Sequence, residues 1–270
     1  MGSSRPLLRA LGLILILILI AGCGPRYKAA PETPLLSASL EELVDRLNER
    51  ERSIRTLRAL LTIRSTGRPG VTGSLSFSRS SAGGPPSLRL KGFDPLGGTL
   101  FDLISAGDRV WISVPVERRV FEGALEEFND PSLPVRADDI QQLVLAAVGP
   151  WIEPGELPVL ERLETMYLIH LIRVSGTEGR LTKRLWFERG RLRLIRAEWF
   201  GGDKRSDHGE DGAGAVVEFD DYQVRSGIDW PGRIAVTRSK DASDEAAGLR
   251  LEFREVHFNS VIAPEELRLP

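Results

Sequence analysis

From Ser39 the apolar positions recur every three or four residues: Leu40, Leu43, Val44 and Leu47, with Ile54 and Leu57 continuing the row. That spacing predicts an amphipathic helix. SLEE, Ser39 to Glu42, marks its start, because the serine oxygen can accept from the backbone of the third helical residue while Glu42 reaches back. Near residue 58 the period drops to two. Strands are predicted over 57–65, 72–79, 87–93, 98–105, 108–115 and 118–123, then over 165–174, 182–188, 191–200, 215–224, 228–238 and 248–258. Gly, Pro, Ser and Asp punctuate them at antiparallel spacing. Arg189-Gly190 reads as a hairpin turn, and DKRSDHGEDGAG, residues 203 to 214, as a mobile charged loop. A second helix is predicted between the two groups. Asp138 caps it with Gln141 at the third helical position, Ile140, Leu143, Val144 and Ala147 form its stripe, and Gly149-Pro150 ends it. Strands outnumber helices and βαβ alternation is absent, so the expected fold is mainly β with α, one long curled antiparallel sheet with two helices to cover one face.

The N-terminus bears on compartment. Arg5 and Arg9 precede LGLILILILIAG, residues 11 to 22, an apolar run with no acidic residue. It is shorter than the roughly 20 residues a spanning helix needs and has the size of a secretory core. Cys23 follows at once, the single cysteine of the 270 residues, which excludes an internal disulfide framework and a CxxC site. LILIAGC resembles the lipobox of bacterial lipoproteins. That resemblance implies cleavage before Cys23, diacylation of its thiol and acylation of the new amino group, so residues 1–22 are expected to be a signal peptide. Residues 23–38, proline-rich and aperiodic, are expected to be the lipidated cysteine and its tether. Two acyl chains are enough for stable anchoring. Gly24, where an Asp would favour inner-membrane retention under the enterobacterial rule, implies the periplasmic face of the outer membrane.

Charge changes the picture little. The chain carries 36 Lys+Arg against 38 Asp+Glu, a formal −2, and losing Arg5 and Arg9 makes it more negative. Nothing in that balance points to nucleic acid, and the five tryptophans are scattered without basic interleaving. His170, His208 and His257 have no metal-ligand spacing. His170 sits in an apolar strand and reads as a satisfied core histidine, and MYLIHLI, apolar on both parities, reads as a strand covered on both sides. The pairs Glu126-Glu127, Asp138-Asp139 and Asp220-Asp221 read as solvated surface, since neighbours on a strand face opposite ways. No GxSxG elbow and no Walker A pattern occurs. No enzyme activity, metal or cofactor is expected.

One stretch resists a bland reading. GFDPLGGTLF, residues 92 to 101, sets Leu96 between Pro95 and Gly97-Gly98 at the tip of a turn, where polar residues are usual. With the lipobox, the tether, two helices and two meanders, this DPLG at Asp94 to Gly97 resembles the NPLG or GPLG turn of the LolA/LolB superfamily, its LolB-type outer-membrane lipoprotein receptors in particular. LPVRADDIQQLVLAAV, Leu133 to Val148, matches that family's apolar, proline-bearing run into a helix. The resemblance covers roughly residues 39–270 and departs from the usual pattern at Asp94 and in the segments 203–214 and 239–248.

The resemblance implies an incomplete antiparallel β-barrel with helices as a lid over an apolar cavity for lipoprotein acyl chains. It implies cargo received from a LolA-like periplasmic carrier, passed down an affinity gradient without nucleotide, and inserted into the membrane with the help of Leu96, held outward by Pro95 and Gly97. A monomer is expected. Candidate cavity positions are Leu75, Phe77, Leu88, Leu90, Phe101, Leu103, Val110, Ile112, Leu185 and Phe187; each is equally readable as ordinary packing beneath a helix. Two alternatives stand: a LolA-like envelope lipoprotein that binds another lipid or a protein partner without insertion activity, and an anchored hydrolase using His208 and the acids near it.

Overall fold

The structure is a computed structural model, and it describes residues 34–67, 69–79, 85–124, 127, 143–144, 146–149, 151–200, 214–237 and 248–270. Helix α1, Leu40–Ser53, begins where the capping sequence predicts: Ser39 Oγ accepts from the Glu42 amide at 3.1 Å. Glu42 turns outward to Arg46, one turn on, at 3.7 Å. Thirteen strands follow among the described residues: β1 Thr56–Ser65, β2 Val71–Ser78, β3 Ser87–Phe93, β4 Thr99–Ala106, β5 Arg109–Val114, β6 Arg119–Ala124, β7 Glu156–Arg162, β8 Met166–Ser175, β9 Glu178–Glu188, β10 Arg193–Trp199, β11 Ala215–Arg225, β12 Ile228–Thr237 and β13 Gly248–Phe258.

They form one curled, open antiparallel sheet in the order β6-β5-β4-β3-β2-β1-β13-β12-β11-β10-β9-β8-β7. Every junction but one joins consecutive strands. The exception is β1 against β13, which zips the first meander to the second from Leu57 opposite Phe258 to Ser65 opposite Leu249. Curling needs backbone to come close on the inner face, and two facing glycines allow it. Gly73 on β2 pairs with Gly92 on β3. A side chain at Gly92 would put its Cβ 2.3 Å from the Phe101 ring, and one at Gly73 would meet Ile63 at 2.7 Å. Large neighbours thus occupy the space that the glycines leave.

The core lies on the inner face. Leu43 and Leu47 of α1 pack there with alternate residues of nearly every strand. Residues 143, 144 and 146–148 are helical and buried in the same core, and Gly149 takes φ +78°, the left-handed geometry that ends a helix. Asp138, Ile140, Gln141 and Pro150, the other positions of that predicted helix, lie outside the described residues, as do segments 201–213 and 238–247 with His208. Packing against the sheet starts just ahead of α1. The Tyr167 hydroxyl donates to Leu36 O and accepts from the Ala38 amide, and the Leu36 amide donates to Arg189 O.

The strand pattern agrees with the period-two reading within a few residues, with β7 as the omission. ELPVLER carries a proline and aims the wrong residues inward: Glu156 is buried while Leu157 and Val159 are exposed. An edge strand tolerates both features, because one of its sides has no ladder to complete. The same edge corrects the reading of His170. That side chain is half-buried on the outer face with Nε2 2.9 Å from Glu161 Oε2 across β7, so it is no core histidine. Tyr167, Ile169 and Leu171 enter the core, and of the outward residues only Leu168 is fully buried, opposite Trp186 in register. The remaining outer face is not all wet. The last residues fold over it as a 3-10 turn, Pro264–Leu267, burying Leu267 while Glu266 accepts from Arg58 and Ser76 at 2.6 Å each. Arg89, paired with Asp102 on the adjacent strand, donates to Glu266 O, and that hydrogen-bonded pairing raises the arginine's already high pKa.

Candidate functional site

The turn between β3 and β4 is built around one carboxylate. Asp94 Oδ1 accepts from the amides of Leu96 and Gly98, both at 2.8 Å. The backbone closes the same loop, Gly97 N–H donating to Asp94 O at 3.0 Å and Asp94 N–H to Gly98 O at 2.9 Å. Gly97 has φ +87°, which an L side chain rarely adopts, and a Cβ on Gly98 would sit 2.5 Å from Asp94 Oδ2. This is the five-residue hairpin solution in which a tight turn ends in a left-handed glycine. Its product is an outward leucine: Leu96 is 97% exposed, and Pro95 and Gly97 beside it are exposed too. Because both amides use one oxygen, an Asn could replace Asp94 without losing either bond.

The ten apolar positions singled out as cavity candidates do come together. All are buried on the inner face and belong to one cluster with α1 and residues 143, 144 and 146–148. Registers place Leu75 opposite Leu90 and Leu90 opposite Leu103, then Leu103 opposite Ile112, so the row crosses β2 to β5 unbroken. In this arrangement helical side chains fill the trough. Cys23 lies outside the described residues, so its distance from the turn is not part of the geometry.

Two polar features inside this apolar surface were not found by sequence reasoning. The first closes one end. Lys183 alternates with Leu185 and Phe187 and so points inward, where Nζ donates to Trp151 O at 3.3 Å, Glu153 Oε1 at 3.0 Å and Glu156 Oε2 at 3.2 Å. Glu156 also accepts from Thr182 Oγ1 and from the Glu153 amide. The hydrogen bond from Lys183, helped by the charges of Lys183 and Arg173, holds the Glu153 carboxyl below its ordinary 4.5 against an opposing push from burial. Trp151, tied down this way, packs on Trp199 and edge-on to Phe219.

The second is Arg50. Its helical spacing from Leu43 and Leu47 was the available signal, because 43, 47 and 50 share one face of α1. The guanidinium lies 5.3 Å from the centre of the fully buried Trp230 ring, beside Tyr222. Burial raises the Tyr222 pKa, and the Arg50 charge partly opposes that. These groups border a pocket of about 370 Å³ between α1, the β9–β10 turn and the β11–β12 turn. Among the described residues no group of three or more His, Cys, Asp or Glu is placed to hold a metal.

No protein-family model and no curated protein sequence matches the chain. Solved structures do match in fold. A domain from Vibrio parahaemolyticus named for outer-membrane lipoprotein sorting is 12% identical with a TM-score of 0.58, over 83% of this chain and 95% of its own. A DUF1329 family protein from Desulfovibrio piger is 15% identical with a TM-score of 0.56, over 84% and 94%. A LolA superfamily protein from Nitrosomonas europaea is 10% identical with a TM-score of 0.50, over 86% and 97%. The open curled sheet is therefore a LolA-like fold, and at these identities the likeness is one of fold alone.

Proposed function

We propose that this chain is a membrane-tethered acyl-chain-binding protein, anchored through a lipidated Cys23 at the periplasmic face of the outer membrane, that accepts lipoproteins from a LolA-like carrier and delivers them to the bilayer. The observation that carries the reading is Leu96: 97% exposed, on a turn whose carboxylate, proline and glycines hold it outward. Such a side chain gains little from folding and about 1.5–3 kcal/mol from entering a membrane. On a tethered protein that biases orientation without anchoring. The chemistry is non-covalent and gives the chain no enzymatic role.

Binding requires the trough to open, and the balance permits it. Fully buried Leu43 and Leu47 hold α1 down, worth together roughly 3–6 kcal/mol. An acyl chain contributes about 0.8 kcal/mol per buried CH₂, so roughly four to eight methylenes match the helix. Three chains on one cargo exceed it several-fold, which would drive transfer without nucleotide. Both ends of α1 are tied down, the C-terminus through Asn259 Nδ2 donating to Ser53 O and buried Ile54, the N-terminal side through Tyr167 and Arg189, so opening would also have to release the contacts of Leu36 and Ala38.

The test is transfer of a triacylated lipoprotein from its soluble carrier to vesicles that hold the lipidated chain, with Leu96→Glu as the variant. Capture without delivery in the variant is the expected result. Delivery at the wild-type rate by Leu96→Glu, or failure of the wild-type chain to take cargo, would overturn it. The second reading, a LolA-like lipoprotein that binds another lipid without insertion, is favoured by the two unused guanidinium donors of Arg50, Nε and Nη2, beside the apolar surface.

A further inference from the structure

The pocket beside α1 contains a guanidinium with two unused donors. Leu47, Phe187 and Leu194 give it an apolar floor that belongs to the main core, while Arg46, Arg50 and Arg191 stand around it. Arg193, also in its wall, is already answered by Asp229, in a two-pronged pair at 2.7 and 2.8 Å. Glu49, the other acid nearby, is exposed on α1. Arg50 differs from its neighbours: the guanidinium engages the Tyr222 hydroxyl, yet its Nε and Nη2 are buried and make no hydrogen bond. Burying a guanidinium with idle donors is unfavourable, and stacking on Trp230 offsets only part of that cost. A guanidinium fork fits a carboxylate or phosphate in two-pronged fashion.

We propose that this pocket binds an oxyanion carried on an alkyl chain, the carboxylate or phosphate of an anionic amphiphile, with Nε and Nη2 of Arg50 donating to the oxyanion. Arg46 and Arg191 add attraction at the entrance, and the tail lies on Leu47 and Phe187, from which the apolar floor continues into the core. The tail half of this assignment rests on the acyl-chain reading above; the head half rests on Arg50 alone.

Native mass spectrometry of the full lipidated chain, released from dodecyl maltoside micelles, separates the possibilities. The probes are dodecyl phosphate, laurate and inorganic phosphate, and the maltoside itself serves as the neutral twelve-carbon control. The expected result is one anionic amphiphile per chain, preferred over the maltoside, with inorganic phosphate not retained. Arg50→Gln should weaken that binding roughly 10- to 100-fold, and Arg50→Lys should restore part of it. Arg191→Gln should cause a smaller loss that disappears at high salt, as expected of a screened charge. Dodecyl phosphate should also shift tryptophan fluorescence of the wild-type chain, through the contact of Arg50 with Trp230. Retention of inorganic phosphate as strong as that of the amphiphile would overturn the proposal in favour of a free-oxyanion site. Neutral and anionic ligands held equally, or indifference to Arg50→Gln in a folded variant, would overturn it and leave the acyl-chain reading standing. Retention of no alkyl ligand would overturn both.

Discussion

Replacing Lys183 with methionine removes an ammonium that lies 3.2 Å from Glu156 Oε2 and leaves a similar apolar stem in place. Lys183 is 7% exposed and the Glu156 side chain 0%, so water cannot take over the lost contact. Breaking a buried pair from one side costs about 3–5 kcal/mol, because the remaining charge is stranded. Glu156 would not be stranded completely. Thr182 Oγ1 at 2.7 Å and the Glu153 amide at 2.8 Å still donate to it, and Arg173 is 3.5 Å away. The lower end, about 3 kcal/mol, is therefore expected. For a domain of this size that lowers the midpoint of thermal unfolding by roughly 6–12 °C. The double variant Lys183→Met/Glu156→Gln removes both charges while an amide oxygen can still accept from Thr182, and should recover more than half of the loss. Urea unfolding of the three chains, compared as a double-mutant cycle, is the assay. A single-variant cost below about 1 kcal/mol, or a double variant as unstable as the single, would refute the idea that a desolvated carboxylate governs this end of the trough.

Other consequences concern the turn, the curl and acid. Asp94→Ala should cost about 1 kcal/mol by removing one acceptor that serves two exposed amides, and Asp94→Asn should be near neutral; faster hydrogen exchange at Leu96 and Gly98 in the alanine variant alone is the readout. Gly92→Ala places a Cβ 2.3 Å from Phe101, a ring 1% exposed, so it should destabilise by about 1–3 kcal/mol despite the more rigid unfolded chain. Equal urea midpoints would show that the sheet does not need this close approach. Glu153, whose pKa is lowered in the folded chain, contributes stability that is present above its ordinary 4.5 and lost as pH falls through the lower folded value. The stability gap between wild type and Glu153→Gln should be constant from neutral pH to about 5 and close below that; a gap independent of pH down to 3 would contradict the pairing with Lys183.

The alternation of Leu75 and Phe77, Leu88 and Leu90, and Leu103 and its neighbours was enough to place strands and their inner face, because strand periodicity is a property of a single segment. The capping serine and the DPLGG turn were equally local. Hydrogen bonds spanning four or five residues set their geometry, and the outward Leu96 follows from it. What needed the tertiary structure was whatever depends on two distant segments meeting. Pairing of β1 with β13 joins residues about 200 apart and makes one sheet of two meanders. Strand β7 was illegible because an edge position, which only the sheet order reveals, lets Glu156 turn inward and Leu157 outward. Lys183 and Arg50 each sat on the buried parity of its own segment, yet a lone charge there is written off as snorkelling to solvent unless its surroundings are known. Residue type and period determined which elements form; the neighbours that desolvate a charge, answer it or leave it idle exist only once the chain has folded, since the cost of a buried charge is a property of its surroundings rather than of its segment.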